Sequence, residues 1–374
     1  MAENNLFCPL IQQMINHSVN SNNSDSSINY TTVCLHGILS VFGILENILI
    51  LWVIGFRVRR TVISVWILNL AASDLLATVS LPFFTHFLAM GHTWTLGTTF
   101  CKIHSSMFFL NMFVSGFLLS VISLDRCLVV ILPVWSQNHR DVRLATQVCA
   151  GIWVLAIINT IPYYIFRDTI VRKDGRIMCY YNYVQYRSPD DEIDQLCGVR
   201  QDILAVSKFI ISFLLPLIII IGSYMAVSSS ITRRGRRRTY RFFRLVLAVI
   251  ITFIVCWIPY HIFSLLEAAS HYHHSLRLVV ARALPLVSSL AFINSVLNPF
   301  LYVFSCPDFM AKIRQSLSVV MESVLMEDMD FSHRRSTTRS SVSTSELLSR
   351  GQKLRGHREK LGSTEKEEEN PAVF

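Results

Sequence analysis

The sequence predicts an all-α membrane protein built as a bundle of seven transmembrane helices. Of its 374 residues, 52% are hydrophobic and only 16% are charged, and the mean hydropathy is +0.44. Soluble domains carry about 25% charged residues. The apolar residues also fall into long runs, and a run of roughly 20 residues crosses a bilayer core of about 30 Å. Composition and run length together therefore predict a multi-pass membrane protein.

Seven apolar runs are long enough to span a bilayer. In chain order they are Leu35 to Phe56, Val62 to Met90, Thr98 to Ile131, Leu144 to Phe166, Ile203 to Ile231, Phe242 to Ala268 and Leu278 to Phe304. We therefore expect residues 35–306 to form the bundle. The longer runs exceed the core thickness, which indicates tilt or extension beyond the membrane.

Arginines in the short loops orient the bundle, because cytoplasmic loops are rich in Lys and Arg. Those predicted on the inner side are Arg57, Arg59, Arg60, Arg140, Arg143, Arg233, Arg234, Arg236, Arg237 and Arg238. The loop from Arg167 to Asp202 is discordant, since it carries basic residues on the opposite side. The other short loops agree with one another, and we therefore predict that the N-terminus lies outside.

Residues 1–34 are predicted to form an extracellular, glycosylated segment. They contain no Lys or Arg, and three Asn-x-Ser/Thr sequons lie at Asn16, Asn22 and Asn29. No charged n-region with an adjacent apolar core opens the chain, so we expect no cleaved signal peptide.

Two segments follow the seventh run. Residues 307–325 open on Pro307 and place Phe309, Ile313 and Leu317 on one apolar stripe, which predicts an eighth, amphipathic helix along the inner leaflet. Residues 326–374 are polar and are predicted to be disordered. A hydroxyl-rich cluster from Ser336 to Ser345 lies in this tail.

Several function classes do not fit the sequence. It lacks the inverted halves and paired broken helices of a transporter. The seventh run has no lysine to hold retinal, no His-Glu-x-x-His set indicates an intramembrane enzyme, and no nucleic-acid-binding motif appears.

Ionisable residues inside the apolar runs mark functional positions, because each costs about 2.5–3.5 kcal/mol to insert. Lys208 lies eight residues before Pro216, which is roughly 12 Å toward the outside at helical rise. Tyr260 can place a hydroxyl nearby, and Phe108 and Phe109 can line an apolar slot. These residues predict a site for a fatty carboxylate at Lys208.

Three alternatives accompany that site. Lys208 could extend outward to the membrane surface, or it could pair with Glu267 for stability alone. The aromatic positions could also be ordinary core. Helical spacing places His104, Phe108, Asn111 and Ser115 on one stripe of the third run, and Phe253, Trp257, Tyr260, Ser264 and Glu267 on one stripe of the sixth. Polar residues at the outer ends of both stripes favour a pocket. Glu267 would disfavour a second negative charge at its rim.

Deeper polar residues predict a hydrated cation site. An intramembrane carboxylate with oxygen-bearing neighbours suits a hard ion. The residues are Asp74, Asn111, Ser115, Asn294 and Asn298. The alternative is a water-filled network around a protonated Asp74. Glu46, in the first run, has no role that the sequence assigns.

A set of residues in every run carries a family resemblance. In chain order they are Asn47, Leu70-Ala71-Ala72-Ser73-Asp74, Cys101, Asp125-Arg126-Cys127, Trp153, Pro216, Tyr224, Cys256-Trp257-Ile258-Pro259 and Asn298-Pro299-Phe300-Leu301-Tyr302. Their order and spacing resemble the rhodopsin-like (class A) G-protein-coupled receptors. The family usually has Tyr where Cys127 stands and often an acid near Thr239, so this chain departs from the family's inter-helix ionic lock.

Longer runs narrow the resemblance to a chemoattractant-type subgroup with an acidic eicosanoid ligand. They are Ser80 to Phe84, His104 to Ser106, Phe108 to Phe113, Asp174 to Asn182 and Tyr260 to Glu267. The resemblance implies further ligand donors at Arg167, His104 and Tyr181. The alternative is a peptide chemoattractant receptor of the same class, whose pocket would be an open, acid-lined bowl and not a narrow cationic slot.

The resemblance also implies signalling roles. Asp125, Arg126, Tyr224 and Tyr302 would couple the receptor to an inhibitory-class heterotrimeric G protein. Trp257, Pro259 and Phe253 would form the activation switch, and the deep ion would be sodium, which would weaken agonist binding. Receptor kinases and arrestin would act on the Ser336 to Ser345 cluster. The block from Arg233 to Arg238 would contact the G protein and also membrane lipid.

Five cysteines lie on the predicted outer side, where disulfides form. They are Cys8, Cys34, Cys101, Cys179 and Cys197. The resemblance implies a Cys101–Cys179 disulfide. Cys8–Cys197 is the second expected pair, which leaves Cys34 as the free thiol.

Overall fold

The computed structural model of the protein describes residues 7–16, 30–188, 192–234 and 240–305. Within these ranges, seven helices are long and apolar enough to cross a membrane. The predicted seven-helix bundle is therefore confirmed. The amphipathic helix predicted at 307–325, the tail at 326–374 and the sequons at Asn22 and Asn29 lie outside the described residues.

The spans follow the predicted runs closely. In chain order they are Val33–Arg57, Val62–Ala89, Gly97–Ile131, Val142–Phe166, Ile193–Ser230, Ile250–Ala269 and Ser275–Phe300. The helices that contain them are Tyr30–Trp52 with a π-helical end at Val53–Arg57, Val62–Ala89, Gly97–Ile131, Val142–Phe166, Ile193–Lys208 with Phe209–Leu214 and Leu215–Arg234, Tyr240–Ala269, and His274–Ser305.

Side chains at the helix starts explain two of these boundaries. The Thr61 hydroxyl accepts a hydrogen bond from the Ser64 N–H at 3.2 Å, and the Ser64 hydroxyl accepts one from the Thr61 N–H at 2.7 Å. This reciprocal capping box begins the second span helix. Asp141 caps the fourth, where its carboxylate accepts from the Leu144 N–H at 2.7 Å.

The fifth helix begins at Ile193, well before the predicted start at Ile203. The added turns are polar, so counting apolar residues could not detect them. Tertiary contacts hold them instead: the Gln201 amide donates to the Glu267 carbonyl at 2.9 Å, and the Tyr272 hydroxyl donates to the Asp202 carboxylate at 2.9 Å. Short helices at Pro9–Asn16 and Pro133–His139 were also not predicted.

Three segments cover the end of the bundle that the sequence assigns to the outside, which we call the outer end. An antiparallel hairpin pairs Arg167–Val171 with Ile177–Tyr181. The Cys101–Cys179 disulfide ties this hairpin to the third span, and Cys8–Cys197 ties the Pro9–Asn16 helix to the fifth. Both predicted pairings are confirmed, and Cys34 is an exposed free thiol as expected.

The fifth span contains a π-helical turn at Phe209–Leu214, just before Pro216. Proline has no N–H to continue the helical ladder, and π-turns accommodate such breaks. Gly116 of the third span faces this turn, and a Cβ atom added at Gly116 would lie 2.8 Å from the Ser212 carbonyl oxygen. The absence of a side chain at Gly116 therefore allows the two helices to approach closely.

We expect Gly116→Ala to destabilise the protein by about 1–3 kcal/mol, because overpacking forces backbone shifts. Thermal unfolding followed by a thiol-reactive dye, which reads the buried Cys149 and Cys256, would measure the loss. Gly151→Ala is the matched control, because a Cβ atom there meets nothing within 4 Å. Equal melting temperatures for the two variants would contradict the close-approach argument.

Candidate functional site

A cavity of about 710 Å³ opens at the outer end, between the hairpin, the N-terminal helix and the sixth and seventh spans. Its lining is cationic. Arginines from the hairpin and from the seventh span line it, and among the lining residues that the structure describes Glu267 is the one acid. The arginines are Arg167, Arg172, Arg176, Arg277 and Arg282. Such a lining concentrates anions.

Several of these arginines are held in fixed positions. Arg172 and Arg176 each lie 3.1 Å from the Asp174 carboxylate. Arg277 donates to the Ser270 and His271 carbonyls at 2.8 and 2.9 Å, so it occupies the end of the sixth helix, where cations are favoured. Hydrogen bonds and ion pairs therefore hold Arg172, Arg176 and Arg277 in place at the mouth of the cavity, and we call these residues the cationic rim.

Arg167 extends from the hairpin toward the bundle interior. Its Nε donates to the Ser105 hydroxyl at 2.6 Å, and its guanidinium lies 4.3 Å from the centre of the Tyr181 ring. This residue lines both the large cavity and a smaller one of about 110 Å³ beneath it. Two of the predicted ligand donors, Arg167 and Tyr181, are thus in direct contact.

The Glu267 carboxylate is hydrogen-bonded to a residue other than Lys208. Its carboxylate accepts a hydrogen bond from the Tyr180 hydroxyl. Burial and the Glu267 charge raise the pKa of Tyr180 well above its ordinary value, so the phenol keeps its proton and donates. Across the described residues, no ion pair within 4.0 Å joins Glu267 to Lys208. Lys208 and Glu267 are therefore not in direct contact in this structure.

The smaller cavity has aromatic walls. Phe108 lies 5.2 Å from the Tyr260 ring and 5.1 Å from the Phe292 ring, measured between ring centres. Phe109 and His104 complete the walls. The Nδ1 atom of His104 is buried without a hydrogen-bond partner among the described residues.

Lys208 lies behind Tyr260 and is absent from the walls of both cavities. Its side chain is buried, and its ammonium donates to the Tyr260 hydroxyl oxygen at 3.4 Å. Phe109 and Tyr163 present their rings to the same ammonium at 5.4 and 5.7 Å. The predicted proximity of Lys208, Tyr260 and Phe109 is thus observed. The position of Tyr260 between the lysine and the cavities was not predicted.

The deep polar residues form a hydrogen-bonded cluster around Asp74. One carboxylate oxygen accepts from the Asn111 amide at 3.0 Å, and the other accepts from the Asn298 amide at 2.9 Å. The Ser115 hydroxyl lies 3.5 Å from the first oxygen. Carboxylate, hydroxyl and amide oxygens are the donors that a hard cation takes, so the chemistry of the cluster fits the predicted ion.

The composition of this cluster differs from the prediction at three positions. Ser295 donates to the Asn111 amide oxygen at 3.2 Å, and Ser73 lies 3.4 Å from Ser115. Both serines were missed, although Ser295 stands one helical turn before Asn298. Asn294 is buried, yet neither of its polar side-chain atoms has a partner in the described part of the chain.

Aromatic contacts connect the smaller cavity to the proline bend of the sixth span. Phe108 lies 6.0 Å from the Trp257 ring, and Phe253 stacks on Phe213 of the fifth span at 5.6 Å. Trp257 and Phe253 are fully buried, and Pro259 lies inside the helix. A ligand that displaces Phe108 would therefore press on the predicted switch residues.

The inner end of the third span carries an ion-paired group. Asp125 binds both Arg126 and Arg140. Of the other predicted coupling residues, Tyr224 lies on the fifth helix, and the side chain of Tyr302 lies outside the description. Arg140 was predicted only as an orienting charge.

Comparisons with known proteins agree with this architecture. Residues 46–302 match the model of the 7 transmembrane receptor (rhodopsin family). The chain is 56% identical to prostaglandin D2 receptor 2 of Mus musculus over 93% of both chains, and 58% identical to that of Rattus norvegicus over 87% of this chain and 81% of the relative. It is 40% identical to a C3a anaphylatoxin chemotactic receptor of Oncorhynchus mykiss, over 88% and 86%.

The chain therefore belongs to the rhodopsin family of seven-transmembrane receptors. It is a multi-pass plasma-membrane receptor that binds a ligand and a G protein, and it is not an enzyme. The resemblance seen in the sequence runs, to the chemoattractant-type receptor for prostaglandin D, is confirmed by the rodent relatives.

If the Asp74 cluster holds sodium, the ion should stabilise the unliganded receptor. At ten times its dissociation constant the expected gain is about 1.4 kcal/mol, seen as a higher melting temperature in sodium than in N-methyl-D-glucamine. Asp74→Asn should abolish the difference. Glu46→Gln is the matched control, because Glu46 is an acid in the first span outside the cluster, with one buried oxygen that has no described partner. Identical melting curves of the unmodified protein in both cations would refute the site.

Proposed function

We propose that this protein is the receptor for an acidic eicosanoid, with prostaglandin D as the first candidate. It would signal through an inhibitory-class G protein, lower cAMP and drive chemotaxis. The observation that carries the proposal is the charge of the large cavity, whose described lining residues include five arginines and one acid. The two rodent relatives named as prostaglandin D2 receptors support the choice of lipid.

The ligand would enter the aromatic cavity with its carboxylate near Tyr260. Because the Lys208 ammonium donates to the Tyr260 oxygen, the Tyr260 proton is free to be donated to the ligand. The lysine charge then acts through the phenol. A hydrogen bond to a charged group contributes about 1.5–3 kcal/mol, and Arg167, His104 and Tyr181 supply further contacts around the same space.

The second candidate is a peptide chemoattractant, and the C3a receptor among the relatives favours it. Such a ligand would need an open, acid-lined bowl. The cationic rim and the N-terminal helix over it favour the acidic lipid. A binding panel of acidic lipids and chemotactic peptides separates the two.

Other parts of the proposal concern the ends of the chain. Residues 1–34 would lie outside the cell and carry glycans at Asn16, Asn22 and Asn29. Receptor kinases would phosphorylate the Ser336 to Ser345 cluster, and arrestin would then read the added charge. The arginine block from Arg233 to Arg238 would contact both the G protein and anionic lipid.

Prostaglandin D2 should bind about 10- to 100-fold more tightly than its methyl ester, the ratio expected from one charged hydrogen bond. Lys208→Ala should remove most of this preference by weakening the acid alone. Radioligand competition with both compounds measures it. Lys102→Ala is the control, since the Lys102 ammonium lies over the Tyr164 ring at 5.7 Å and no described contact joins it to Tyr260. An unchanged acid-to-ester ratio in Lys208→Ala would remove Lys208 from the role, and loss of the ratio in Arg167→Ala alone would assign the carboxylate to Arg167.

Arg126→Ala should abolish ligand-stimulated nucleotide exchange on an inhibitory-class G protein while leaving ligand binding within a few-fold of normal. Its guanidinium is part-buried on the inner end of the third span, about 25 Å of helical rise from Phe109, the nearest cavity residue on the same helix. Exchange assays with the purified receptor decide the matter. Retained exchange in the variant would show that Arg126 is not the coupling residue.

A further inference from the structure

The carboxylate of Asp125 carries two arginines at once. Arg140 donates to both of its oxygens, through Nε at 2.6 Å and Nη2 at 3.0 Å. Arg126 is hydrogen-bonded to the second oxygen, with its Nε at 3.1 Å. The Asp125 side chain is only 9% exposed, while the arginines are 26% and 25% exposed. One nearly buried acid therefore neutralises two cations.

Arg140 is held in place independently of Arg126. It ends the Pro133–His139 helix, where its N–H donates to the Ser136 carbonyl at 3.1 Å. The next residue, Asp141, caps the fourth span. Arg140 thus lies in a connection that is fixed between the third and fourth spans. Its guanidinium binds Asp125 in the two-point geometry that arginine makes with carboxylates.

Arg126 has no second acid among the described residues, since Asp125 is its one ion-pair partner there. The sequence also lacks an acid near Thr239. Without Arg140, the departure of Arg126 to contact a G protein would leave a lone carboxylate in a nearly buried position. Breaking a buried pair in this way is costly because it leaves an uncompensated charge.

We propose that Arg140 is the positioning residue that lowers the free energy needed to separate Arg126 from Asp125. It keeps Asp125 neutralised after Arg126 has left, and its own charge repels Arg126 while both are bound. Removing Arg140 would leave Asp125 with Arg126 as its only counter-charge, so Arg126 would be held more tightly. The resting state would gain stability, and coupling would fall.

The inference rests on the proposed coupling role of Arg126, so Arg126→Ala is assayed in parallel. The test is nucleotide exchange on an inhibitory-class heterotrimer, catalysed by the full chain in nanodiscs, both without ligand and with prostaglandin D2. Arg140→Gln should lower the rate about five- to tenfold, the usual size of a coupling between sites. Arg140→Lys, a point charge without the fork, should give an intermediate rate.

Two comparisons separate this role from a loss of structure. Arg143→Gln removes an equal charge from an exposed position on the same helix start and should leave the rate unchanged. In an Asp125→Asn background, Arg140→Gln should have no further effect, because the shared carboxylate is gone. Melting temperatures of the unliganded variants identify any that fail to fold, and Arg140→Lys then carries the test.

The outcomes are distinct. A lower rate that Arg140→Lys partly restores, and that depends on Asp125, supports the proposal. An unchanged or raised rate in Arg140→Gln overturns it, as does an equal loss in the Asp125→Asn background. If Arg126→Ala retains normal exchange, the proposed coupling role of Arg126 fails and the inference about Arg140 fails with it. If Arg126→Ala loses exchange while Arg140→Gln keeps its rate, only the inference about Arg140 is overturned.

Discussion

The need to satisfy every polar group inside a bilayer governs this structure. Because lipid offers no hydrogen-bond partners, each span must be a helix that satisfies its own backbone. The side chains that are polar within the spans must then satisfy one another. They do so at three depths: around Tyr260 and Lys208 near the outer end, around Asp74 in the middle, and around Asp125 at the inner end. Aromatic packing through Trp257 lies between the first two levels.

Polar groups at the outer end need not be satisfied within the protein, because water is available there. The compartment is also oxidising, so disulfides can form. Neither the hairpin nor the Pro9–Asn16 helix could bury much apolar surface alone. Each is instead tied to a span by a disulfide that joins residues far apart in sequence, 78 and 189 positions respectively. These cross-links hold the cationic rim over the cavity. A polar, charged cover can thus be ordered without a hydrophobic core of its own.

The parts of the fold set by composition were predictable, and those set by long-range contacts were not. Apolar runs located all seven spans, and helical spacing turned Asn111, Ser115, Trp257 and Tyr260 inward. The polar start of the fifth helix escaped detection because its stability comes from Gln201 and Asp202 contacts with other helices. The position of Lys208 behind Tyr260 was likewise invisible, since spacing gives depth and facing but not which side chain is in front.

The cations at the two ends of the bundle have opposite surroundings: in the part of the chain that the structure describes, Lys208 has no direct acidic partner, and Arg126 has one. This difference fits their proposed roles. Lys208 is held by a neutral hydroxyl and aromatic rings, and among the described residues it has no acid within 4.0 Å. A buried cation in that condition gains most from an anion supplied from outside. Arg126, in contrast, has an acid that a second arginine also holds. A cation paired in that way can be given up at low cost. The outer end is therefore arranged to receive a negative charge, and the inner end to release a positive one.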